Sequence, residues 1–245
     1  MKTLKDYINE VSLLDIEGTM EAGAIKKIIE KWINDNFKVK DLKISDNPNS
    51  DGKYEVLAKY VSVANKNITN ITSLTNGLFV WKEVKEYFDC SYCKSLKLLE
   101  GAPEKVEGSF YCYNCESLIS LEGAPKKVGE NFYCYGCNSL KSLEGSPKEV
   151  GNNFSCSHCK SLKSLEGAPK EVDGNFDCSY CDSLTSLEGA PKEVGNGFYC
   201  NYCKSLNTLK NAPKEIGADF YCYDCSSLKS VDLPATTKIK GKIYK

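Results

Sequence analysis

Apolar residues recur along most of this chain with a period of 22 residues. From residue 88 onward the sequence repeats one unit, approximately F-x-C-x-x-C-x-S-L-x-S-L-E-G-A-P-K-E-V-G. The phenylalanines are Phe88, Phe110, Phe132, Phe154, Phe176, Phe198 and Phe220. A strict period of this length predicts a solenoid, in which each turn buries its apolar side chains only against the neighbouring turns.

The spacing inside one unit predicts its local structure. Phe198 and Cys200 are two residues apart, so their side chains should point to the same side of a short strand. Leu206 and Leu209 follow at the spacing of a turn. The Gly-Ala-Pro sequence at 189–191 supplies a tight reversal and an extended segment. The unit therefore predicts short parallel β-strands joined by irregular returns.

The first 60 residues follow other patterns. Apolar residues at helical spacing predict one helix over about 4–14, on Leu4 to Leu14, and a clearer one over about 25–37. Val39, Leu42 and Ile44 then indicate an extended segment, and alternation from Tyr54 to Tyr60 indicates a strand. These elements predict a small α/β cap on the first turn of the solenoid.

The chain therefore divides into three parts. Residues 1–60 form the N-terminal α/β capping region, 61–234 the solenoid with regular turns from 88, and 235–245 a Lys-rich tail or cap. Residues 67–81 are interpreted as a degenerate turn whose leucine pair is Ile71 and Leu74. The last regular unit departs from the pattern at Val231 and Pro234, as a terminal cap would.

The repeated unit resembles a leucine-rich repeat, L-x-x-L-x-L-x-x-N/C-x-L. Phe198 takes the second of the three leucine positions, Cys200 the third, and Cys203 the Asn/Cys position. The short length and the "SLEGAPKEV" return are similar to leucine-rich repeats of bacterial effector and tailed-phage proteins. The resemblance covers about 61–234 and implies a solenoid that interacts with a host protein, including one of a defence system.

Fourteen cysteines form seven CxxC pairs at the same period. Because free cysteine is among the most buried residue types, we interpret the first of each pair as a small inward-facing hydrophobe. The resemblance to leucine-rich repeats implies that the second meets backbone groups at the end of the strand. Zinc or an iron–sulfur cluster is an alternative, since stacked CxxC pairs could supply four thiolates. Disulfides or a redox role are further alternatives, although the βαβ context of a redox CxxC motif is absent.

Composition narrows the classes of partner. The formal net charge is −1, and all 32 basic residues are lysine. A near-neutral chain without arginine is a poor candidate for binding nucleic acid, because phosphate and guanine recognition rely on arginine. No apolar run is long enough to span a membrane, and the first residues lack the apolar core of a signal peptide. We expect a cytoplasmic protein with reduced thiols, in the host cytoplasm if a phage encodes it.

The sequence contains no set of residues typical of a catalytic site. The only histidine, His158, lies within a CxxC pair, and a Cys–His pair needs an orienting third group to act as a nucleophile. The glycines of the EGAP and VG segments belong to the repeat and do not form a phosphate-binding loop. We therefore expect a protein that is not an enzyme and needs no cofactor.

Side chains that vary between repeats lie mainly around the strand. Strand alternation places the residue after each phenylalanine, and the one after the first cysteine, on the outer side, which we call the strand face. Ten of the 15 tyrosines fall on these positions or on the next one. Stacking predicts a first tyrosine patch of Tyr111, Tyr113, Tyr133 and Tyr135, and a second of Tyr199, Tyr202, Tyr221 and Tyr223. Between them lie Ser155, Ser157, His158, Asp177, Ser179 and Tyr180.

Exposed tyrosines are enriched at protein interfaces, because they offer large contact areas at low cost in side-chain entropy. We therefore expect the strand face to bind another macromolecule, most simply a protein, through these fourteen residues. Tyrosine also suits exposed strands without any partner. A carbohydrate-binding face, a metal- or redox-linked cysteine protein, and a structural or assembly component are the other interpretations of the sequence.

Overall fold

The computed structural model describes residues 22–63 and 71–245. They form a parallel β-solenoid of about eight turns with a short helix near the N-terminus. This confirms the predicted repeat solenoid with a small N-terminal α/β cap. The helix predicted over 4–14 lies outside the described residues.

One ladder of parallel strands carries the repeated phenylalanines. From Phe88 to Phe198, each phenylalanine pairs with the phenylalanine of the next turn, as Phe132 does with Phe154 and Phe154 with Phe176. The strands of this ladder are β4 (Phe79–Asp89), β6 (Ser109–Tyr111), β8 (Phe132–Tyr133), β10 (Phe154–Ser155), β12 (Phe176–Asp177), β14 (Phe198–Tyr199), β16 (Phe220–Tyr221) and β18 (Ile243–Tyr244). The ladder fixes the strand face, because every turn repeats the same register.

A second parallel ladder runs through the returns, which the sequence did not lead us to expect. Its valines and isoleucines are mostly buried, so this segment packs against the core instead of looping freely. Its strands are β5 (Lys105–Val106), β7 (Lys127–Val128), β9 (Glu149–Val150), β11 (Glu171–Val172), β13 (Glu193–Val194), β15 (Glu215–Ile216) and β17 (Lys238–Ile239). The segment 235–245 therefore adds one strand to each ladder.

The core is a set of parallel columns of identical side chains. Consecutive phenylalanine rings from Phe88 to Phe220 stack with centroids 5.3–5.5 Å apart and planes within 14° of parallel. Both cysteines of every regular turn are buried beside them, as are the leucine pairs from Leu96 to Leu209 and Ile71 and Leu74 of the predicted degenerate turn. Each turn therefore depends on its two neighbours for most of its apolar contacts.

The N-terminal cap closes one end of these columns. It consists of α1 (Ala22–Asn36), β1 (Phe37–Lys40), β2 (Lys43–Ile44) and β3 (Tyr54–Val63). Strand β3 pairs in parallel with β4 and antiparallel with β1 and β2. Phe37, predicted as the last residue of the helical stripe, begins β1 instead, and its ring lies 6.1 Å from that of Phe88. The cap thus continues the phenylalanine column with an aromatic residue.

Glycine forms the sharp turn that follows each of the central leucine pairs. Gly167 has a φ of 88°, which favours glycine over residues with a side chain. A Cβ atom at this position would lie 2.4 Å from the backbone nitrogen of Glu144 in the preceding turn. The backbones of adjacent turns therefore approach too closely here for any other residue without a shift.

Candidate binding face

The buried cysteines hold the strand ends together through thiol hydrogen bonds. The Sγ of the second cysteine of a pair donates to the carbonyl of the first cysteine in the preceding turn. Cys159 reaches the oxygen of Cys134 at 3.3 Å, and Cys225 reaches that of Cys200 at 3.0 Å. The same bond forms from Cys115, Cys137, Cys181 and Cys203. The second cysteine thus meets the backbone at the end of the strand, as its position in the repeat predicts.

Burial favours the protonated form of several of these thiols. All fourteen cysteines are buried and free, and burial raises the pKa of Cys156 and Cys178 well above the ordinary value. At the last cysteine pair, burial raises the pKa of Cys222 to about 11. Residues 22–63 and 71–245 contain no group of three or more potential ligands placed to hold a metal ion. The second cysteines that donate these hydrogen bonds are therefore buried core residues that also contact the backbone of the preceding turn.

We expect the cysteines to react slowly with a thiol reagent until the protein unfolds, because the thiolate is the reactive form. Cys222 and Cys225, in the last regular turn, should react before the others, because they are the most accessible of the set. A chelator should leave the melting temperature unchanged. Time-resolved thiol labelling and thermal unfolding measure both effects. A chelator-induced fall of many degrees would contradict a purely hydrogen-bonding role of the CxxC pairs.

The two tyrosine patches form as continuous aromatic surfaces. In the first patch, the rings of Tyr113 and Tyr135 stack with centroids 4.6 Å apart, and the ring centroids of Tyr111 and Tyr133 are 5.7 Å apart. In the second, Tyr199 and Tyr221 stack at 4.6 Å, and Tyr202 meets Tyr223 edge-on at 5.3 Å. All eight rings are partly exposed. Burial raises the pKa of Tyr135 to about 12, so its hydroxyl stays a neutral donor and acceptor.

A third line of rings lies along the edge of the strand face. The residue before each second cysteine has a left-handed backbone, with φ between 56° and 71° in every regular turn. His158 stacks on Tyr180 at 4.3 Å, and Tyr180 stacks on Tyr202 at 4.5 Å. This line joins the second tyrosine patch to His158.

A groove of about 530 Å³ separates the two tyrosine patches. It opens where two consecutive turns carry small or acidic residues in place of tyrosine. Its lining consists of Tyr133, Tyr135, Asn153, Phe154, Ser155, Ser157, His158, Asn175, Asp177 and Tyr199. The Oγ of Ser155 lies 3.1 Å from that of Ser157, and it donates to Asp177 Oδ2 at 3.4 Å. Asp177 Oδ1 accepts the backbone N–H of Ser179 at 2.9 Å.

The structure brings seven of the fourteen predicted residues into this one groove. Among them, Ser157 is buried and His158 is exposed, whereas Ser179, which is buried, and Tyr180, which is exposed, lie outside the lining. The remaining predicted tyrosines extend from the groove in both directions along the solenoid. Whether these residues bind a partner stays a prediction.

Sequence reasoning missed two features of this face. Asn153 and Asn175 belong to an asparagine ladder, in which Asn175 Nδ2 donates to Asn153 Oδ1 at 3.0 Å and Asn153 Nδ2 donates to Asn131 Oδ1 at 2.9 Å. The dipeptide Asn-Phe, repeated in three successive turns, was the signal that could have revealed it. The aromatic surface also extends to Tyr87, which stacks on Tyr60, and to Tyr244, which stacks on Tyr221.

Comparisons with protein-family models, with curated proteins and with solved structures found no match to this chain. The one helix among the described residues, α1, is too short and too polar to span a bilayer.

Proposed function

We propose that this chain is a non-enzymatic, leucine-rich-repeat-like module whose strand face binds another protein. The observation that carries the proposal is the contrast between the two ladders. The return keeps nearly the same Pro-Lys-Glu-Val sequence in successive turns, whereas the strand face differs from turn to turn. A surface that repeats cannot distinguish one partner from another along its length, but a surface that varies can.

The character of the variable side chains supports protein binding. Rigid, partly exposed tyrosines are typical interface anchors, because little side-chain entropy is lost when they are covered. The groove adds hydrogen-bonding groups between them at fixed positions, since the strand ladder holds each turn in register. This combination of aromatic anchors and a polar groove suits a specific interface.

The resemblance to leucine-rich repeats extends the proposal to the type of partner. In those repeats, an inward Asn or Cys satisfies backbone groups at the end of the strand. In this chain the second cysteine of a pair, for example Cys159, donates its thiol proton to a backbone carbonyl. By analogy with effector and tailed-phage repeats, we infer a cytoplasmic protein of a host, including a component of a defence system, as the partner.

Paired tyrosine replacements test the proposal. Tyr111→Ala with Tyr133→Ala, or Tyr199→Ala with Tyr221→Ala, should weaken partner binding at least tenfold. Interface anchors typically cost about 2 kcal/mol when truncated, and roughly 1.4 kcal/mol corresponds to a factor of ten. The free energy of unfolding should fall by about 1 kcal/mol or less per site, because these rings lie outside the phenylalanine core.

Affinity capture from a lysate of the natural host, followed by titration of the purified partner, measures the effect. Lys148→Glu and Lys170→Glu are the matched controls, since both lysines are exposed on the return. These charge reversals should leave the affinity nearly unchanged. If they abolish binding while the tyrosine variants bind normally, the function does not reside on the strand face.

A further inference from the structure

The strand face differs in charge from the rest of the molecule. In each regular turn, a seven-residue segment from the residue before the phenylalanine to the second cysteine contains the strand-face positions and the positions at their edges. These seven segments contain four aspartates, Asp89, Asp177, Asp219 and Asp224, but no lysine and no glutamate. The whole chain, with 32 lysines, has a formal charge of only −1. The face is thus an acidic strip on a nearly neutral protein, which favours approach of a basic partner.

Asp177 is the aspartate that the groove exposes to a ligand. It is the only acidic residue in the lining, which contains no lysine. Its carboxylate accepts one backbone N–H and one long hydrogen bond from Ser155, and a carboxylate can accept about four. No lysine among the described residues forms an ion pair with it within 4.0 Å. The groove therefore presents a carboxylate with unused acceptor capacity.

The walls of the groove suit a cation as well. Tyr133 and Tyr135 lie on one side of the groove and Tyr199 on the other. A cation is attracted to the face of an aromatic ring within about 6 Å of its centroid. A phosphate or another anion would meet the carboxylate of Asp177 unfavourably. Both the floor and the walls therefore favour a positively charged group.

The width of the groove limits the shape of the ligand. Tyr133 and Tyr199 are three strands apart, which separates their backbones by about 14 Å at the usual strand spacing. When the thickness of the rings is subtracted, the open gap between them is roughly 10 Å. One extended peptide segment fits this gap, whereas an α-helix of about 10–12 Å diameter would not reach the floor.

We propose that the groove between the two tyrosine patches receives a lysine or arginine side chain from an extended segment of the partner protein. This inference rests on the proposed function and specifies the chemistry of the contact. The basic group pairs with Asp177, and its aliphatic stem passes between the tyrosine rings. Serine and asparagine side chains of the lining offer further acceptors to the donors of the same group.

A selection from a library of short unstructured peptides on the full chain tests the inference. We expect the selected peptides to carry a lysine or arginine, and Asp177→Asn to lower their affinity at least tenfold. Replacing the selected arginine by citrulline, a neutral isostere, should cause a similar loss. The two changes together should cost little more than either alone, because they remove the same contact.

Asp89→Asn is the matched control. Asp89 stands at the same position of another turn and accepts the N–H of Ser91 at 2.9 Å, just as Asp177 accepts that of Ser179. This variant should change the affinity less than twofold. In both variants the amide oxygen can keep the backbone hydrogen bond, so the fold should be retained, and a thermal unfolding curve checks this.

Several outcomes would overturn the inference. It would be overturned if the selected peptides carried no basic residue, or if Asp177→Asn left their affinity unchanged. It would also be overturned if no groove-dependent binder were found, or if a glycan array showed specific binding of sugars. Binders that need Tyr199 and Tyr221 but neither Asp177 nor a basic residue would overturn it and leave the proposed function standing. If the proposed function itself were wrong, the selected peptides would instead bind in a way that depends only on residues of the return.

Discussion

Replacing Phe154 with alanine is expected to lower the free energy of unfolding by roughly 3–5 kcal/mol, as is typical when a buried phenylalanine is truncated. Phe154 is fully buried, and its ring stacks on those of Phe132 and Phe176, each at 5.3 Å. The cavity left by the ring would lie in the middle of a continuous column. It could collapse only if the strands on both sides moved together, and their hydrogen bonds resist that movement.

The damage should also spread to the neighbouring turns, since each turn obtains its apolar contacts from the next. Denaturant unfolding gives the total loss, and hydrogen exchange gives its distribution. Phe220→Ala is the matched control, because Phe220 stacks on one phenylalanine only and pairs with Ile243 on its other side. We expect a smaller effect there. Hydrogen exchange that stays normal in the turns flanking Phe154→Ala would count against the stacked-turn description of the core.

Replacing Gly167 with alanine is expected to cost at least about 2 kcal/mol of stability. A left-handed backbone alone costs a residue with a side chain roughly 1–2 kcal/mol. The added Cβ would also overlap the backbone of Leu143 and Glu144, which cannot rotate away as a flexible side chain could. Relief would require the two turns to separate at this point, which would strain the ladders on either side.

Gly52→Ala separates the two contributions. Gly52 also has a positive φ, 71°, but an added Cβ would meet nothing within 4 Å. This variant should show the conformational cost alone, about 1 kcal/mol. Equal losses at Gly52 and Gly167, measured by denaturant unfolding, would mean that the close approach of adjacent turns contributes nothing.

The period of the sequence was sufficient to predict the solenoid, because burial repeats with the chain. The columns of phenylalanine, cysteine and leucine all lie where strand alternation and the turn spacing indicate. The second ladder was not predicted, since strands such as β9 have only two residues and no alternation that a sequence can display. The only indication of this ladder in the sequence was a single valine in most turns, and one apolar residue is equally compatible with an irregular return.

The groove was predictable only in part. The change from tyrosine to Ser155 and Asp177 in two successive turns indicated a gap between aromatic patches. The asparagine ladder beside it depends on the side-chain direction of the residue before each phenylalanine, which the period does not specify. The left-handed position was indicated by Asn114, Gly136 and Asp224, residue types that tolerate it, but Tyr180 and Tyr202 at the same position concealed the pattern.

The uniform length of the turns has a consequence for how this protein can change over generations. Because every turn bonds to the next through the same backbone groups, one whole 22-residue unit can be lost or duplicated without altering the core. Loss of residues 154–175, for instance, would join Asn153 directly to Phe176 and restore the Asn-Phe sequence. The tyrosine patches would then lie one turn closer, so the loss or gain of one unit changes the strand face in a single step, whereas point mutation changes it residue by residue.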